Sequence, residues 1–181
     1  MIIVGIDPSL RNTGLVAVKF NQVDESITLI DTKMSHTFPS KQKKGKNLHD
    51  VNSVRCILAD LNEFLIKHNP QLVCAELPLG SQSSQAMIGV GICTTILATI
   101  KYPLILVNPF DVKKVVYAGA KRKMAKSEIV EWATTKHPSD LWFKRKLKGK
   151  IVYMASNEHL ADALVSIYAG MEKEVFSKIV K

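Results

Sequence analysis

The sequence predicts a single α/β domain in which helices flank a mixed five-stranded sheet, and three observations support this. Three β-rich segments come first, at 2–6, 14–20 and 26–33, with only turn residues between them. Later strands, at 71–76 and 104–107, alternate with segments of helical periodicity. The length of 181 residues fits one domain with a sizeable core. A meander followed by alternating units favours a mixed sheet over a purely parallel one.

The three N-terminal strands follow from composition and turn residues. Residues 2–6 form a continuous apolar run that ends at Asp7-Pro8-Ser9, a sequence typical of a turn. Segments 14–20 and 26–33 are β-rich, and polar residues including Asn21-Gln22 turn the chain between them. Because these connections are short, we expect the three strands to pair as an antiparallel meander.

The middle of the chain alternates helix and strand. Apolar residues recur at helical intervals over 48–68, and Pro70 ends that helix because the residue before a proline avoids helical geometry. The strand at 71–76 closes on Glu76, after which a proline and a glycine turn the chain. A serine-rich stretch then caps a helix predicted at 84–100.

Four further elements complete the prediction. They are a strand at 104–107 and helices at 112–117, 127–135 and 158–172. The basic stretch at 136–156, between the last two helices, receives no element from these patterns. We predict one domain spanning 1–181, without an internal repeat or linker.

Charge and cysteine usage narrow the class of protein. The formal net charge is +9, which favours association with nucleic acid or an anionic surface. Cys56, Cys74 and Cys93 lie in apolar segments without metal-ligand spacing, and we expect reduced core thiols in a cytoplasmic protein. Lys101 interrupts the most apolar stretch well short of a membrane-spanning length, so no membrane or export segment is predicted.

Three acidic residues are placed where a metal site needs them. Asp7 and Glu76 each end an apolar strand, and Asp162 lies on the last helix. Carboxylates are costly in apolar surroundings unless they are paired or bind cations, and oxygen ligands suit Mg²⁺. His159 and Glu158 lie three and four residues before Asp162, so the same helix face can offer a second ligand.

The order of these residues resembles that of RuvC-type Holliday junction resolvases, which belong to the ribonuclease H-like superfamily. The opening motif reads Gly5-Ile6-Asp7-Pro8-Ser9-Leu10-Arg11-Asn12-Thr13-Gly14. Glu76 matches the second acid, and a small-residue helix follows it from Ala86 to Gly91. Two later matches are Asn108-Pro109-Phe110-Asp111-Val112-Lys113-Lys114 and Gly119 with Lys126-Ser127-Glu128-Ile129-Val130. The closing match is His159 with Asp162-Ala163-Leu164.

The resemblance implies a mechanism and its residues. Asp7 would bridge two Mg²⁺ or Mn²⁺ ions, with Glu76, Asp162 and His159 completing their shells and Glu158 as a further candidate ligand. Lys126 matches a lysine beside the active site, where its charge could neutralise the scissile phosphate. The implied activity is paired symmetric nicking of four-way DNA junctions in recombination and repair, giving 5′-phosphate and 3′-hydroxyl ends.

Two departures from the family pattern bear on substrate choice. Ser9 replaces a glycine after Asp7-Pro8, a change that a turn tolerates. Family members carry an aromatic residue shortly after the second acid, whereas this chain has Leu79 there. Leu79 could still wedge between bases, because apolar side chains serve that purpose in other DNA-bending proteins.

A basic segment predicts where DNA binds. From 113 to 150 there are 12 lysines and arginines against 3 acids. A phosphate track beside the active site would use such cations, and backbone contacts position DNA without reading bases. The candidates are Lys113, Lys114, Lys121, Arg122, Lys123, Lys144, Arg145, Lys146 and Lys148. Trp142 and Phe143 could stack on bases or pack beneath the segment.

Symmetric cleavage of a junction needs two active sites, so we expect a two-fold homodimer formed through the helix at 48–68 or the one after Ser84. Three alternatives stay open. A relaxed branch nuclease would also cut flaps, Y-junctions and three-way junctions. A non-catalytic junction-binding protein would keep the carboxylates as structural groups. An actin-like ATPase or sugar kinase shares the opening motif but needs two such lobes.

Overall fold

Five strands form one mixed sheet in the computed structural model, which describes residues 1–38, 46–80, 82–117 and 125–180. The strands are β1 (Ile2–Asp7), β2 (Asn12–Phe20), β3 (Ile27–His36), β4 (Leu72–Glu76) and β5 (Leu104–Val107). Their spatial order is β3-β2-β1-β4-β5. β1 is antiparallel to β2 and parallel to β4, so the predicted mixed sheet is confirmed.

Helices cover both faces of this sheet. They are α1 (Lys46–His68), α2 (Ser84–Ala98), α3 (Pro109–Tyr117), α4 (Lys126–Lys136), α5 (Glu158–Met171) and α6 (Glu174–Val180). The five predicted helices are confirmed to within a few residues at each end. Among the described residues, no helix is both long and apolar enough to cross a membrane.

Two apolar layers form because successive strand residues point to opposite faces. In β1, Ile3 packs in the layer with α5, whereas Val4 and Ile6 pack in the layer with α1 and α2. All three side chains are fully buried. Burial on both faces explains why the strand is a continuous apolar run rather than an alternating one.

α5 lies unusually close to the sheet because glycines face it. A Cβ atom built on Gly5 would overlap the carbonyl oxygen of Ala163, and one on Gly14 would overlap that of His159. The hydroxyl of Ser166 also donates a hydrogen bond of 3.1 Å to the carbonyl oxygen of Cys74. These contacts fix α5 across β1, β2 and β4.

A hairpin of two strands and a C-terminal helix were not predicted. Residues 144–153 form a hairpin of β6 (Lys144–Leu147) and β7 (Lys150–Tyr153), within the stretch to which the sequence patterns assigned no element. α6 packs back on the sheet through Phe176, whose ring lies edge-on to Phe20 at 5.6 Å between centroids.

The expectation for the cysteines is corrected at one position. Cys74 and Cys93 are buried, but Cys56 is exposed. Cys56 lies on α1 beside Ile57, which is fully buried, and so falls outside the apolar stripe of that helix. All three are free thiols.

Candidate active site

The candidate site begins with two carboxylates at adjacent strand ends. β1 and β4 pair in parallel with Ile6 opposite Ala75, so the next residues, Asp7 and Glu76, end neighbouring strands on the same edge of the sheet. Both side chains are half-buried. The prediction that both acids end their strands is therefore confirmed.

α5 brings two further predicted residues to this edge. The imidazole Nδ1 of His159 lies 2.7 Å from Oδ2 of Asp7, within hydrogen-bond distance. Asp162 lies about one turn further along the helix, and its pKa responds to the charges of both Asp7 and Glu76. The close approach at Gly14 makes this possible, because His159 is the residue whose backbone contacts it.

Two of the carboxylates, Glu76 and Asp162, have raised pKa values. Burial, followed by the charge of Asp7, raises the pKa of Glu76 to about 7. Burial, followed by the charges of Asp7 and Glu76, raises the pKa of Asp162 to about 8. The hydrogen bond with Asp7 raises the pKa of His159 above its ordinary value. These raised pKa values mean that the groups around the carboxylates do not fully compensate their negative charge.

Lys126 and Glu158 form an ion pair at the border of this cluster. The ammonium group at the start of α4 contacts a carboxylate oxygen of Glu158 at the start of α5. That hydrogen bond, with the charges of Asp162 and Asp7, raises the pKa of Lys126. Glu158 therefore faces Lys126, whereas its neighbour His159 faces Asp7.

The donor set fits a divalent cation chemically. Within the described residues, the side chains of Glu76 and Asp162 accept no hydrogen bond and form no ion pair. Crowded carboxylates without protein partners are what a hard cation with oxygen ligands requires. Among the described residues, no three His, Cys, Asp or Glu side chains lie close enough together to surround one metal ion.

The predicted DNA-binding residues fall in three places. Leu79 is 51% exposed in the loop after β4. Lys113 lies close enough to lower the pKa of Glu76, whereas Lys114 pairs with Glu172 at 3.4 Å, towards the far end of α5. The remaining described candidates, Lys144, Arg145, Lys146 and Lys148, are exposed on the hairpin. Lys121, Arg122 and Lys123 lie outside the described residues.

The two aromatic residues before the hairpin differ from each other. Trp142 is 2% exposed and donates a hydrogen bond of 2.7 Å to the carbonyl oxygen of His137, so it packs beneath the segment. Phe143 is 38% exposed.

Phe110 is an exposed aromatic residue to which the sequence analysis gave no role. It is 70% exposed at the start of α3, directly after β5, and Lys113 Nζ lies 5.7 Å from its ring centroid. The sequence signal for such a residue is an aromatic side chain followed three residues later by lysine, just after the carboxyl end of the edge strand β5.

Solved structures of known proteins share this architecture. T. thermophilus RuvC in complex with a Holliday junction substrate matches with a TM-score of 0.68 at 19% identity, covering 99% of this chain and 97% of that chain. The chain has the ribonuclease H-like fold of RuvC. Neither a protein-family model nor a curated protein matches it in sequence.

Two resolvases from other sources share the RuvC fold with this chain. The fowlpox virus Holliday junction resolvase matches with a TM-score of 0.55 at 16% identity, covering 95% of this chain and 99% of that one. The yeast mitochondrial Holliday junction resolvase matches with a TM-score of 0.58 at 14% identity, covering 93% and 77%. The match to each extends well beyond the sheet alone.

Proposed function

We propose that this chain is a divalent-metal-dependent endodeoxyribonuclease that resolves four-way DNA junctions by paired nicking. One observation carries the proposal: Asp7, Glu76 and Asp162 crowd at one edge of a RuvC-fold sheet, where burial raises the pKa values of Glu76 and Asp162. A structural role does not account for that arrangement, because uncompensated carboxylates cost stability. The proposed setting is recombination and repair in the cytoplasm.

In the proposed cleavage reaction, bound metal ions and side chains of the protein would have separate roles. Asp7, Glu76, Asp162 and His159 would hold Mg²⁺ or Mn²⁺, two ions in each site, with Glu158 as a further candidate. Such ions supply water activation and neutralise charge at the leaving 3′ oxygen. His159 orients the Asp7 carboxylate through their hydrogen bond. Lys126 places a positive charge at the border of the site, next to the scissile phosphate. The products carry 5′-phosphate and 3′-hydroxyl ends.

The proposed substrate is branched DNA. The net charge of +9 favours a phosphate polymer, and exposed cations lie on both sides of the site, on α3 and on the hairpin. Leu79, in the loop after Glu76, would contact bases at the branch point. T. thermophilus RuvC, which shares this fold, has been solved with a Holliday junction substrate.

A homodimer would supply the two active sites that paired nicking needs. An apolar groove of about 400 Å³ runs between α1 and α2, and Val54, Leu58, Ile88 and Ile92 are among its lining residues. Ile88 is 56% exposed. We place the proposed two-fold contact here, because a second copy would cover these side chains.

A relaxed branch nuclease is the second candidate, favoured by Leu79 where resolvases carry an aromatic residue. Such an enzyme would cut flaps and Y-junctions as readily as four-way junctions. A non-catalytic junction binder is disfavoured, since it gains nothing from crowded carboxylates.

Cleavage of a labelled immobile four-way junction tests the proposal. Linear duplex, flap and Y-junction DNA are compared with Mg²⁺, with Mn²⁺ and with EDTA, and Asp7→Asn protein is the matched control. Symmetric nicks that need metal and Asp7, with binding retained in the variant, are the expected result. Preferential flap cutting would replace the proposal by the relaxed nuclease. Binding without any cleavage would leave a binding protein.

A further inference from the structure

The β6–β7 hairpin lies outside the carboxylate cluster, and the proposed cleavage chemistry does not use it. Its strands pair from Lys144 opposite Tyr153 to Leu147 opposite Lys150. Lys148 and Gly149 form the two-residue turn, with φ values of 48° and 81°. Two positive φ values in a two-residue loop match the twist of the flanking strands, so the hairpin is a narrow, regular ribbon.

The base of the hairpin is fixed to the N-terminus of α5. The fully buried Asn157 side chain accepts a hydrogen bond of 2.9 Å from the backbone N–H of Phe143 and donates one of 2.8 Å to its carbonyl oxygen. The backbone N–H of Met154 donates to the same carbonyl at 3.0 Å. Because Asn157 immediately precedes Glu158, the orientation of the hairpin is tied to that of the proposed active site.

The hairpin carries a dense positive charge. Five of the seven residues from 144 to 150 are lysine or arginine, and none is acidic. Lys144 pairs with Asp140 at 2.7 Å, at the base. Arg145, Lys146, Lys148 and Lys150 form no ion pair with the described residues. Four cations are thus left for an external anion, and a row of phosphates is the complementary surface.

Apolar side chains stand between these cations at the tip. Ile151 is 76% exposed and Leu147 is 48% exposed. Cross-strand partners share a face, so Ile151 lies with Lys146 on one face and Leu147 with Lys150 on the other. Apolar side chains do not bind phosphates, but they can pack against bases that are not stacked on their neighbours.

The hairpin also borders the proposed active site. A cavity of about 460 Å³ is lined on one side by Lys126 and Glu158 and on the other by Arg145 and Tyr153. DNA held at the Lys126 border of the site therefore lies next to the base of the hairpin.

We propose that this hairpin enters the branch point of the DNA, with its cations on backbone phosphates and Leu147 and Ile151 against bases that the branch leaves unstacked. The inference rests on the proposed function and names a second wedge besides Leu79. An ordered two-stranded ribbon suits this role, because little conformational entropy is lost when it binds.

Strand opening is measured with 2-aminopurine at the branch point of a four-way junction. Asp7→Asn protein is the parent, so that the DNA stays intact. We expect binding by the parent to raise the fluorescence severalfold. The Leu147→Ser/Ile151→Ser change should remove at least half of that rise, with the dissociation constant altered by less than about threefold. Val23→Ser is the matched control, since Val23 is 94% exposed at the opposite end of the sheet.

The cations are tested by salt dependence. Each phosphate contact adds about 0.9 to the log–log slope of affinity against salt on duplex DNA. Lys146→Gln/Lys148→Gln should therefore reduce the slope by about 2, whereas Lys19→Gln/Lys101→Gln, at the other end of the sheet, should not. An unchanged slope in the hairpin variant would show that these two lysines do not contact phosphates.

The outcomes separate this inference from the proposed function. Full fluorescence in the Leu147→Ser/Ile151→Ser protein, while wild-type protein cuts the junction, overturns the wedge alone. Absence of both branch preference and cleavage in the wild-type protein overturns the proposed function and the wedge together.

Discussion

Gly14 and His159 meet backbone to backbone, with no room for a side chain between β2 and the first turn of α5. Gly14→Ala should therefore push α5 away from the sheet and move His159 relative to Asp7. We expect the free energy of unfolding to fall by about 1–3 kcal/mol, as in other overpacked sites. Cleavage should fall by more than the loss of folded protein explains.

Gly89→Ala is the matched control for that change. A Cβ atom at Gly89, within α2, meets nothing within 4 Å. Alanine is favoured over glycine in a helix by about 0.5–1 kcal/mol, so this variant should be slightly more stable. Urea denaturation measures both proteins, and equal stabilities would contradict the close approach at Gly14.

Asp162→Asn should stabilise the metal-free protein, and more so at high pH. The pKa of Asp162 is raised from 3.8 to about 8 on folding. A raised carboxyl pKa costs no stability below the unfolded value, and the cost grows as the pH rises from about 4 to about 8. We expect a gain of about 2 kcal/mol at pH 8, a value discounted for partial solvent access, and little gain at pH 4.

Urea denaturation in EDTA at both pH values measures this difference. Asp24→Asn serves as the control, because hydrogen bonds to Ser26 lower the pKa of Asp24, so removing its charge should give no gain at pH 8. A gain for Asp162→Asn that is the same at both pH values would exclude charge crowding as its cause.

Divalent cations should stabilise the wild-type protein by relieving the same crowding. For a site with a dissociation constant of about 1 mM, 10 mM metal adds about 1.4 kcal/mol. In a chain of this size that raises the melting temperature by about 3–6 °C. EDTA should reverse the shift at pH 8, and Asp7→Asn should abolish it. An equal shift in the variant would place the cation elsewhere.

Lys126→Gln should slow cleavage about 10- to 100-fold while junction binding stays within about threefold, since one point charge near the scissile phosphate is lost. Lys178→Gln is the control, because Lys178 pairs with Glu174 on α6, away from the carboxylates. Single-turnover rates at saturating protein separate the two steps. A loss confined to binding would make Lys126 a phosphate contact rather than part of the cleavage site.

Ile88→Glu should separate the proposed homodimer. The substitution places a charge in the groove between α1 and α2, which a second copy would otherwise cover. Sedimentation velocity should show a change from dimer to monomer, with Val23→Glu unaffected. The monomer should nick junctions singly instead of in pairs. A monomeric wild-type protein would contradict the two-fold arrangement.

The strand ends were predictable from sequence, and the hairpin was not. Asp7 and Glu76 each follow an uninterrupted apolar run, and that pattern predicted both strands. In the hairpin, lysine and arginine occupy strand positions because neither face is covered, so the apolar alternation that marks a strand is absent. The hairpin could have been predicted from Lys148-Gly149, which suits a two-residue turn, and from the β-branched residues Ile151 and Val152 that follow it.

The sequence also left open whether Glu158 or His159 would be a metal ligand, although the spacing of three residues before Asp162 matched His159 to the family position. It did not predict that His159 contacts Asp7. Packing brings this contact about, because the close approach at Gly14 turns His159 towards Asp7 and leaves Glu158 beside Lys126. Backbone proximity of this kind is a tertiary property that no local pattern encodes.

The hydrogen bond between Asp7 and His159 joins residues 152 positions apart in the chain. A polypeptide emerging from the ribosome holds Asp7 and Glu76 long before α5 has been made. Until that helix docks, the two acids have no partner from the C-terminal half. If the proposed function holds, the cleavage activity is thus among the last properties that the protein acquires during its synthesis.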